Sequence, residues 1–362
     1  MASISETRGV TEEAISCDAD SRQEDGGGTV RSVTYNGQVI LVDSDEEDMC
    51  RYKESVFPLY TSKNIGHRSG SIYTSALGKM FGVSDRRETP LEATMNSDPT
   101  ADCFCHNGIC IVHPPRCMLQ IFSLRLAKAP SNGGSSLELY GYIAVRDNLD
   151  RLLNYVVSYS RDDPVVVEQG SLITMNGPKR AIHLLDTIVI EYDMRIKTGE
   201  DENDDLQLID GLSAVDGNGV WDSRTLARRI HGDCGAVDMV FLRLRCGVEA
   251  TVQVSVSQVK CGFSLRLGCF VNRLDEEIRL FDGAIIGESS GILHRSVVSV
   301  IMDSWMDLKF MIGSESSTAS AQVCCSFRAN SHGLSTQQIK TDCALISVKV
   351  TWSTLSLSLD DL

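Results

Sequence analysis

The chain has 362 residues, with 49 acidic and 34 basic side chains and a formal net charge of −15. An acidic protein is poorly suited to nonspecific binding of nucleic acid or anionic membranes, because phosphate groups require lysine and arginine surfaces. Residues 1–15 lack the apolar core of a signal peptide, and no apolar run is long enough for a membrane-spanning helix. The 13 cysteines are an odd number and are scattered, as in a reducing compartment. We therefore expect a soluble protein of the cytoplasm or nucleus.

The first part of the chain has the composition of a disordered segment. Residues 1–50 contain twelve acidic and three basic side chains, three consecutive glycines and few large apolar residues. Such a segment cannot bury enough apolar surface to offset its conformational entropy, so we predict a disordered acidic tail. Residues 51–116 are rich in Ser, Thr, Pro and Gly, with one short helical pattern at 71–81. This composition predicts a semi-ordered linker.

The tail contains an apolar tetrad followed directly by an acidic run with one serine. These residues are Val39, Ile40, Leu41, Val42, Asp43, Ser44, Asp45, Glu46, Glu47 and Asp48. Four β-prone residues can add as a strand to the sheet edge of a partner, and the acidic run would pair with a basic flank. The segment resembles a SUMO-interacting motif, and Ser44 resembles an acidophilic kinase site. The alternative is a short strand that docks on the protein's own domain.

A second cluster of candidate ligands lies at the end of the linker. It consists of Cys103, Cys105, His106, Cys110, His113 and Cys117. Thiolate and imidazole ligands at short spacing suit tetrahedral zinc. The cluster has no Cys-X-X-Cys pair, however, and Cys-X-Cys rarely supplies two ligands. The sequence therefore favours a protein without a bound metal or cofactor.

From Cys117 onward the chain alternates between apolar and polar residues. In 187–197, apolar residues at even positions alternate with Glu191, Asp193, Arg195 and Lys197, which predicts a strand with one solvent-exposed face. Roughly a dozen such runs follow one another at short spacing. With so few helices to cover a sheet, the sheets must cover each other. We predict an antiparallel β-sandwich over residues 117–355 and a C-terminal tail at 356–362, with one helical turn at 224–230.

The two halves of this β region resemble each other weakly. The string Gly-Tyr-Ile-Ala-Val-Arg-Asp from Gly141 has a counterpart from Gly268, and Arg180 and the strand ending at Lys197 have counterparts at Arg295 and Lys309. The pattern is compatible with a pseudo-repeat of two tandem sandwiches or with one large sandwich. The acidic, glycine-containing stretch 199–218 is the best candidate for an internal boundary.

Two further patterns are interpreted as turn and loop chemistry. Residues 287–291 match the Gly-X-Ser-X-Gly nucleophile pattern with Ser289, but a strand is predicted to follow where that mechanism requires a helix. The carboxylates of Asp147, Asp150, Asp162 and Asp163 on predicted turns could hold calcium. Asp is also a common turn residue for local hydrogen-bonding reasons, and we favour that interpretation.

The β region resembles a cereal-grass domain family of unknown function between about Met118 and Leu355. The strings that carry the resemblance begin at Met118, Tyr140, Arg161, Gly177, Leu274, Arg295 and Val348. The resemblance implies a plant protein, related to members in which the domain stands beside a ribosome-inactivating domain. We find no Glu-Ala-X-Arg active-site string of that enzyme, so no catalytic residue is carried over.

Three functional hypotheses follow. The first is a noncatalytic interaction protein that recruits a SUMO-type or basic protein partner through its acidic tail, without nucleic acid or membrane partners. The second is a stress- or defence-associated protein that binds a small molecule or is linked to translation, for which a deep pocket would be the sign. The third is a hydrolase with Ser289 as its nucleophile.

Overall fold

The computed structural model describes residues 29–35, 38–44, 60–61, 66–90, 103–106, 109–130, 136–217, 224–286, 291–314 and 320–355. Almost all regular structure in these residues is β-strand, and the sheets are antiparallel. Within these ranges no helix has the length and apolarity needed to cross a bilayer. The fold class is therefore the all-β antiparallel class that the alternation of apolar and polar residues predicts.

Part of the predicted acidic tail has regular structure. Strands β1 (Thr29–Tyr35) and β2 (Gln38–Ser44) form an antiparallel hairpin in which Thr34 lies opposite Val39 and Val33 opposite Ile40. The apolar tetrad lies within β2. The other residues of 1–50 lie outside the described ranges.

The linker contains the short elements that precede the sandwich. They are β3 (Tyr60–Thr61), a 3-10 turn (Ser71–Thr74), helix α1 (Ala76–Met80), β4 (Cys105–His106) and β5 (Ile109–Cys110). The turn and α1 confirm the helical pattern predicted at 71–81. Ser75 caps α1, because its side-chain oxygen accepts a hydrogen bond from the Gly78 amide at 2.9 Å.

The sandwich region consists of strands from β6 to β22. In the first part they are β6 (Arg116–Lys128), β7 (Ser136–Arg146), β8 (Asn154–Tyr159), β9 (Val165–Glu168), β10 (Leu172–Ile173), β11 (Ile182–His183), β12 (Ile188–Ile196), β13 (Leu206–Val215) and β14 (Leu226–His231). In the second part they are β15 (Ala236–Ser257), β16 (Phe263–Val271), β17 (Ile278–Ile285), β18 (Gly291–Ile301), β19 (Trp305–Ser314), β20 (Ser320–Arg328), β21 (Gly333–Lys340) and β22 (Leu345–Ser353).

Three sheets form two sandwiches that share one long strand. Strand β15 has 22 residues, and its first half pairs with β6 and β14 while its second half pairs with β18 and β22. A sheet in the order β8-β7-β12-β13 faces the first half, and a sheet in the order β17-β16-β19-β20 belongs to the second. Each sandwich has its own apolar core, one centred on residues such as Ile190 and Phe241, the other on residues such as Val252 and Phe310. The structure is thus two sandwiches joined through one continuous sheet.

The two sandwiches have the same strand order and, apart from the short strands β3 and β9 of the first, the same pairings. Strand β6 of the first sandwich corresponds to the second half of β15 in the second. Strand β6 pairs with β10 and β11 on one side and with the first half of β15 on the other, and the second half of β15 pairs in the same way with β18 and with β22. Four further pairings of the first sandwich recur in the second. The pair β7–β8 corresponds to β16–β17, and β7–β12 corresponds to β16–β19. In the same way β12–β13 corresponds to β19–β20, and β14–β15 corresponds to β21–β22. The sequence strings that resemble each other, from Gly141 and from Gly268, lie on the equivalent strands β7 and β16. The topology therefore favours the pseudo-repeat over one large sandwich.

Three local predictions are wrong. Residues 224–230 are not a helical turn, because most of them belong to strand β14, which pairs with β15. The stretch 199–218 is not a boundary, because β13 lies within it and pairs with β12 along its length. The polar face of β12 is not exposed, because residues 66–90 pack on it through a small core of Ile72, Phe81 and Val83.

Candidate functional site

The tail motif is only partly within the described residues. Residues Val39 to Ser44 lie on β2, where the extended backbone is the conformation that strand addition requires. One edge of β2 pairs with β1, and in the described residues the sheet contains these two strands alone. Asp45, Glu46, Glu47 and Asp48 lie outside the described ranges. The structure therefore defines the backbone of the tetrad and its pairing, and the acidic run remains a sequence feature.

Four thiol and imidazole groups meet at one end of the second sandwich. The Sγ atom of Cys103 lies 3.2 Å from the Sγ atom of Cys110 and 3.1 Å from Nε2 of His332. The Sγ atom of Cys110 lies 3.2 Å from Nδ1 of His113. All four ligand atoms lie within 4.8 Å of one another, and the four residues are half-buried. We call this group the Cys/His cluster.

Two segments of the chain hold the Cys/His cluster in place. Strands β4 and β5 form a small hairpin, extended by a hydrogen bond from the Ile111 amide to the Phe104 carbonyl at 2.9 Å, and this hairpin brings Cys103 and Cys110 together. His332 lies in the turn between β20 and β21, immediately before Gly333. The φ angle of Gly333 is +108°, which is a conformation that glycine adopts easily and that lets the chain reverse at this point.

The electrostatics of the Cys/His cluster favour a thiolate. Partial burial opposes ionisation of Cys110, but the hydrogen bonds with Cys103 and His113 outweigh it and lower the pKa of the Cys110 thiol to about 6. The thiolate is the form of cysteine that binds metals and acts as a nucleophile. Because a thiolate and two imidazole nitrogens converge here, the arrangement is suited to coordinate a soft or borderline metal ion.

The Cys/His cluster differs from the one that the sequence suggests. Cys103, Cys110 and His113 are in it, whereas the Cys117 thiol instead donates to the Arg245 carbonyl at 3.4 Å and His106 is exposed. The side chain of Cys105 lies outside the described part of the structure. Sequence reasoning missed His332, which is 229 residues from Cys103. Spacing patterns in a short window carry no signal for a ligand so far along the chain.

A buried ionic network joins residues 66–90 to the first sandwich. Glu191 on β12 accepts hydrogen bonds from Tyr142 Oη at 2.6 Å and Arg146 Nε at 2.7 Å, and its Oε1 lies 3.2 Å from His67 Nε2. The other ring nitrogen of His67 lies 2.6 Å from Asp210 Oδ1. We call these groups the His67 network. His67, Glu191 and Arg146 are buried and Tyr142 and Asp210 are partly buried, so each charge depends on the others for compensation.

The pKa values in the His67 network are displaced by this arrangement. Burial alone would lower the pKa of His67, but hydrogen bonds and charges from Asp210 and Glu191 outweigh it and raise it to about 9. The same contacts hold the carboxyl pKa values of Glu191 and Asp210 below their usual range despite burial. At neutral pH the protonated His67 imidazole lies between the two carboxylates and Arg146 pairs with Glu191, so two positive and two negative charges balance.

A second buried ion pair accounts for Asp147 and Asp150, two of the four aspartates considered as calcium ligands. The Asp147 carboxylate accepts hydrogen bonds from both terminal nitrogens of Arg180 at 2.6 and 2.8 Å, and Asp150 accepts a third from Arg180 at 2.8 Å. Asp147 and Asp150 also accept hydrogen bonds from the backbone amides of Leu149 and Leu152, respectively, as aspartates in turns commonly do. Their oxygens are thus occupied by an arginine and by turn amides, as the interpretation from turn chemistry predicts.

Two regions of the structure bear on the hydrolase and ligand-binding hypotheses. Ser289 lies outside the described ranges, and the residues after it form strand β18, which confirms the predicted strand in place of a helix. A cleft between the two sandwiches, lined by residues including Gln120, Asn176 and His294, has a volume of about 20 Å³. This is the scale of a single water molecule, whereas ligand pockets occupy roughly 300–1,000 Å³.

The fold defines a duplicated antiparallel β-sandwich protein. A family model described as "Domain of unknown function (DUF6598)" matches residues 118–350, which is more than half of the chain. The chain therefore belongs to this family, in agreement with the resemblance to a domain family of unknown function. The matched range begins in β6 and ends in β22, so it covers both sandwiches and excludes the tail and the linker.

The other comparisons add little. No curated protein matches the chain. Among solved structures, human GIVD cytosolic phospholipase A2 is 12% identical, with a TM-score of 0.23, over 68% of this chain and 31% of that chain. The same human enzyme in complex with methyl gamma-linolenyl fluorophosphonate is 9% identical, with a TM-score of 0.22, over 66% and 32%. The chain spans about a third of these solved chains, and TM-scores this low support no inference about fold or activity.

Proposed function

We propose that the protein is a noncatalytic interaction protein that engages a SUMO-type partner, or another partner with a basic sheet edge, through residues 39–48. The observation that carries the proposal is the extended conformation of the apolar tetrad in β2, with an acidic run directly behind it. An extended apolar segment supplies main-chain hydrogen bonds to a sheet edge, and alternate side chains enter pockets on the partner.

The pairing of β2 is compatible with strand addition. A strand in a sheet has two edges, and β1 occupies one edge of β2 through the register of Val33 with Ile40. The second edge of β2 makes no strand pairing among the described residues, and β3 lies close to β2. A partner strand that adds there would extend the hairpin to three strands, which are more stable than two.

The negative charge of the motif determines which partners it would attract and how the added strand would be oriented. Asp43 and Asp45 to Asp48 place five carboxylates within six residues. These charges would steer a partner with a basic flank and fix the direction of the added strand. Phosphorylation of Ser44 would add negative charge at the same place and strengthen the same contact.

The proposal that the protein is not an enzyme is supported by how its buried charged groups are used. In the His67 network, imidazole, guanidinium and carboxylate groups are bonded to one another, and Arg180 is bonded to Asp147 and Asp150. These contacts fix residues 66–90 and the turns on the sandwich. Localisation in the cytoplasm or nucleus belongs to the same proposal, because the described cysteines form no disulfides.

A calorimetric titration of the full chain with a SUMO protein tests the proposal. We expect saturable binding that weakens by about tenfold or more in Ile40→Ala and Leu41→Ala, because apolar anchors dominate such interfaces. Val10→Ala, another apolar residue of the acidic segment, is the matched control and should bind as the wild type does. Equal weakening by the control, or no binding of the full chain at millimolar partner, would refute the proposal.

A further inference from the structure

We propose that Cys103, Cys110, His113 and His332 bind one zinc ion in a closed tetrahedral site. This site is independent of the tail motif, since its ligands lie in the linker and in the second sandwich. The inference rests on the positions of four ligand atoms, on their chemistry, and on the small amount of apolar surface that otherwise holds the hairpin in place.

The distances within the Cys/His cluster match a tetrahedral metal site. Zinc lies about 2.3 Å from thiolate sulfur and about 2.0–2.1 Å from imidazole nitrogen, so the ligand atoms of a tetrahedral site lie roughly 3.3–3.8 Å apart. The distances of Cys110 Sγ to Cys103 Sγ and to His113 Nδ1 are both 3.2 Å, and Cys103 Sγ lies 3.1 Å from His332 Nε2. The other three separations among the four ligand atoms are within 4.8 Å, and small shifts of the side chains would bring all six into the tetrahedral range. The sulfur atoms are too far apart for a disulfide, in which they lie about 2.05 Å apart.

The donor set selects the ion. Two thiolates and two imidazoles in a tetrahedral arrangement suit zinc, whereas calcium and magnesium prefer oxygen ligands. Because the protein supplies all four ligands, no coordination position remains for a reactive water molecule. Four protein ligands are the mark of a structural zinc site, so we assign the ion a role in folding and none in catalysis.

The hairpin that carries three of the ligands has little apolar anchoring. Its large apolar side chains are mostly in solvent: Phe104 is 60% exposed, Ile111 55% and Val112 48%. Burial of these residues therefore contributes little to the position of the hairpin. The imidazole of His332 and the thiol of Cys103 are nevertheless in contact, and a metal ion would explain why this exposed segment lies against the turn between β20 and β21.

A metal at this point would connect distant parts of the chain. Cys110 and His113 are three residues apart and chelate locally, whereas His332 is 229 residues from Cys103. A cross-link that closes so long a loop restricts the unfolded chain more than a short one does. Zinc would thus attach the end of the linker to the second sandwich, and its binding free energy would contribute to the stability of that contact.

The test is metal analysis of the purified full chain together with two ligand variants. We expect one zinc ion per chain in the wild type, and loss of that zinc in Cys110→Ser and His332→Asn. Cys117→Ser and His106→Asn are the matched controls, because they change the same residue types in the same segment but lie outside the Cys/His cluster. Both controls should retain one zinc per chain.

Cobalt substitution supplies a readout that does not require a variant to fold. Replacement of zinc by Co²⁺ in the wild type should give the intense visible absorption of tetrahedral cobalt and thiolate-to-cobalt charge transfer in the near ultraviolet. Wild-type protein that takes up neither zinc nor cobalt would overturn the proposal. So would loss of metal in the two controls together with its retention in the ligand variants. Either result would leave the tail proposal unaffected.

Discussion

The His67 network makes stability depend on pH in a direction that the structure specifies. The imidazole of His67 lies between the Asp210 and Glu191 carboxylates, and its pKa is raised from 6.5 to about 9. A group with a raised pKa contributes stability that is complete below its ordinary pKa and is lost as the pH rises through its folded value. We therefore expect the contribution of His67 to be complete below about pH 6 and to vanish by about pH 10.

The size of this contribution follows from the displacement of the pKa. A rise from 6.5 to about 9 corresponds to about 3 kcal/mol, at about 1.4 kcal/mol for each tenfold change in proton affinity. His67→Gln keeps a polar side chain and removes the charge. The variant should unfold with a free energy about 3 kcal/mol lower than the wild type near pH 6, and the two should agree within about 1 kcal/mol near pH 10.

Urea unfolding followed by circular dichroism at both pH values measures this difference. Other groups that titrate in the same range are common to both proteins and cancel in the comparison. Tyr142, the remaining titratable partner of His67, does not interfere because burial and Glu191 hold its pKa well above this range. A stability difference between wild type and variant that is the same near pH 6 and near pH 10 would refute the reasoning.

Two further predictions concern buried charge and backbone conformation, and both are checked by free energies of unfolding in urea. Arg180→Met leaves the buried Asp147 carboxylate without its cation and should lower the free energy of unfolding by about 3–5 kcal/mol. Arg328→Met breaks an exposed pair with Asp303 and should lower it by less than about 1 kcal/mol. Equal losses in the two variants would contradict this prediction. Gly141→Ala should cost about 2 kcal/mol or more, because φ is +102° and the new Cβ would clash with the Asp193 carbonyl. Gly70→Ala, with φ +70° and open space, should cost only about 1 kcal/mol, and an equal loss at Gly141 would show that the clash is absent.

The local strand pattern could be predicted from sequence because the period of two is a local property. Apolar residues at alternate positions of 187–197 predict a strand, and β12 lies there. Which face is solvated is not a local property. Glu191 and Asp193 look like exposed residues, yet they are buried, because residues 66–90 from the linker pack over them and supply His67.

The same distinction between local and distant contacts explains the metal site. Cys103, Cys110 and His113 stand out because they are close in sequence, but a set of three without a Cys-X-X-Cys pair does not predict zinc. The fourth group, His332, comes from a turn in the second sandwich that only the tertiary fold places there. The weak repeat between Gly141 and Gly268 was visible in sequence, whereas the shared strand β15 became apparent only from the pairing of its two halves.

The most direct test of the central claim uses a peptide of residues 34–52 titrated into isotopically labelled SUMO protein and followed by NMR. We expect saturable shifts confined to one edge strand of the partner and its adjoining basic residues, because the tetrad would add as a strand with the acidic run beside it. The absence of shifts at millimolar peptide, or shifts scattered away from any sheet edge, would contradict it.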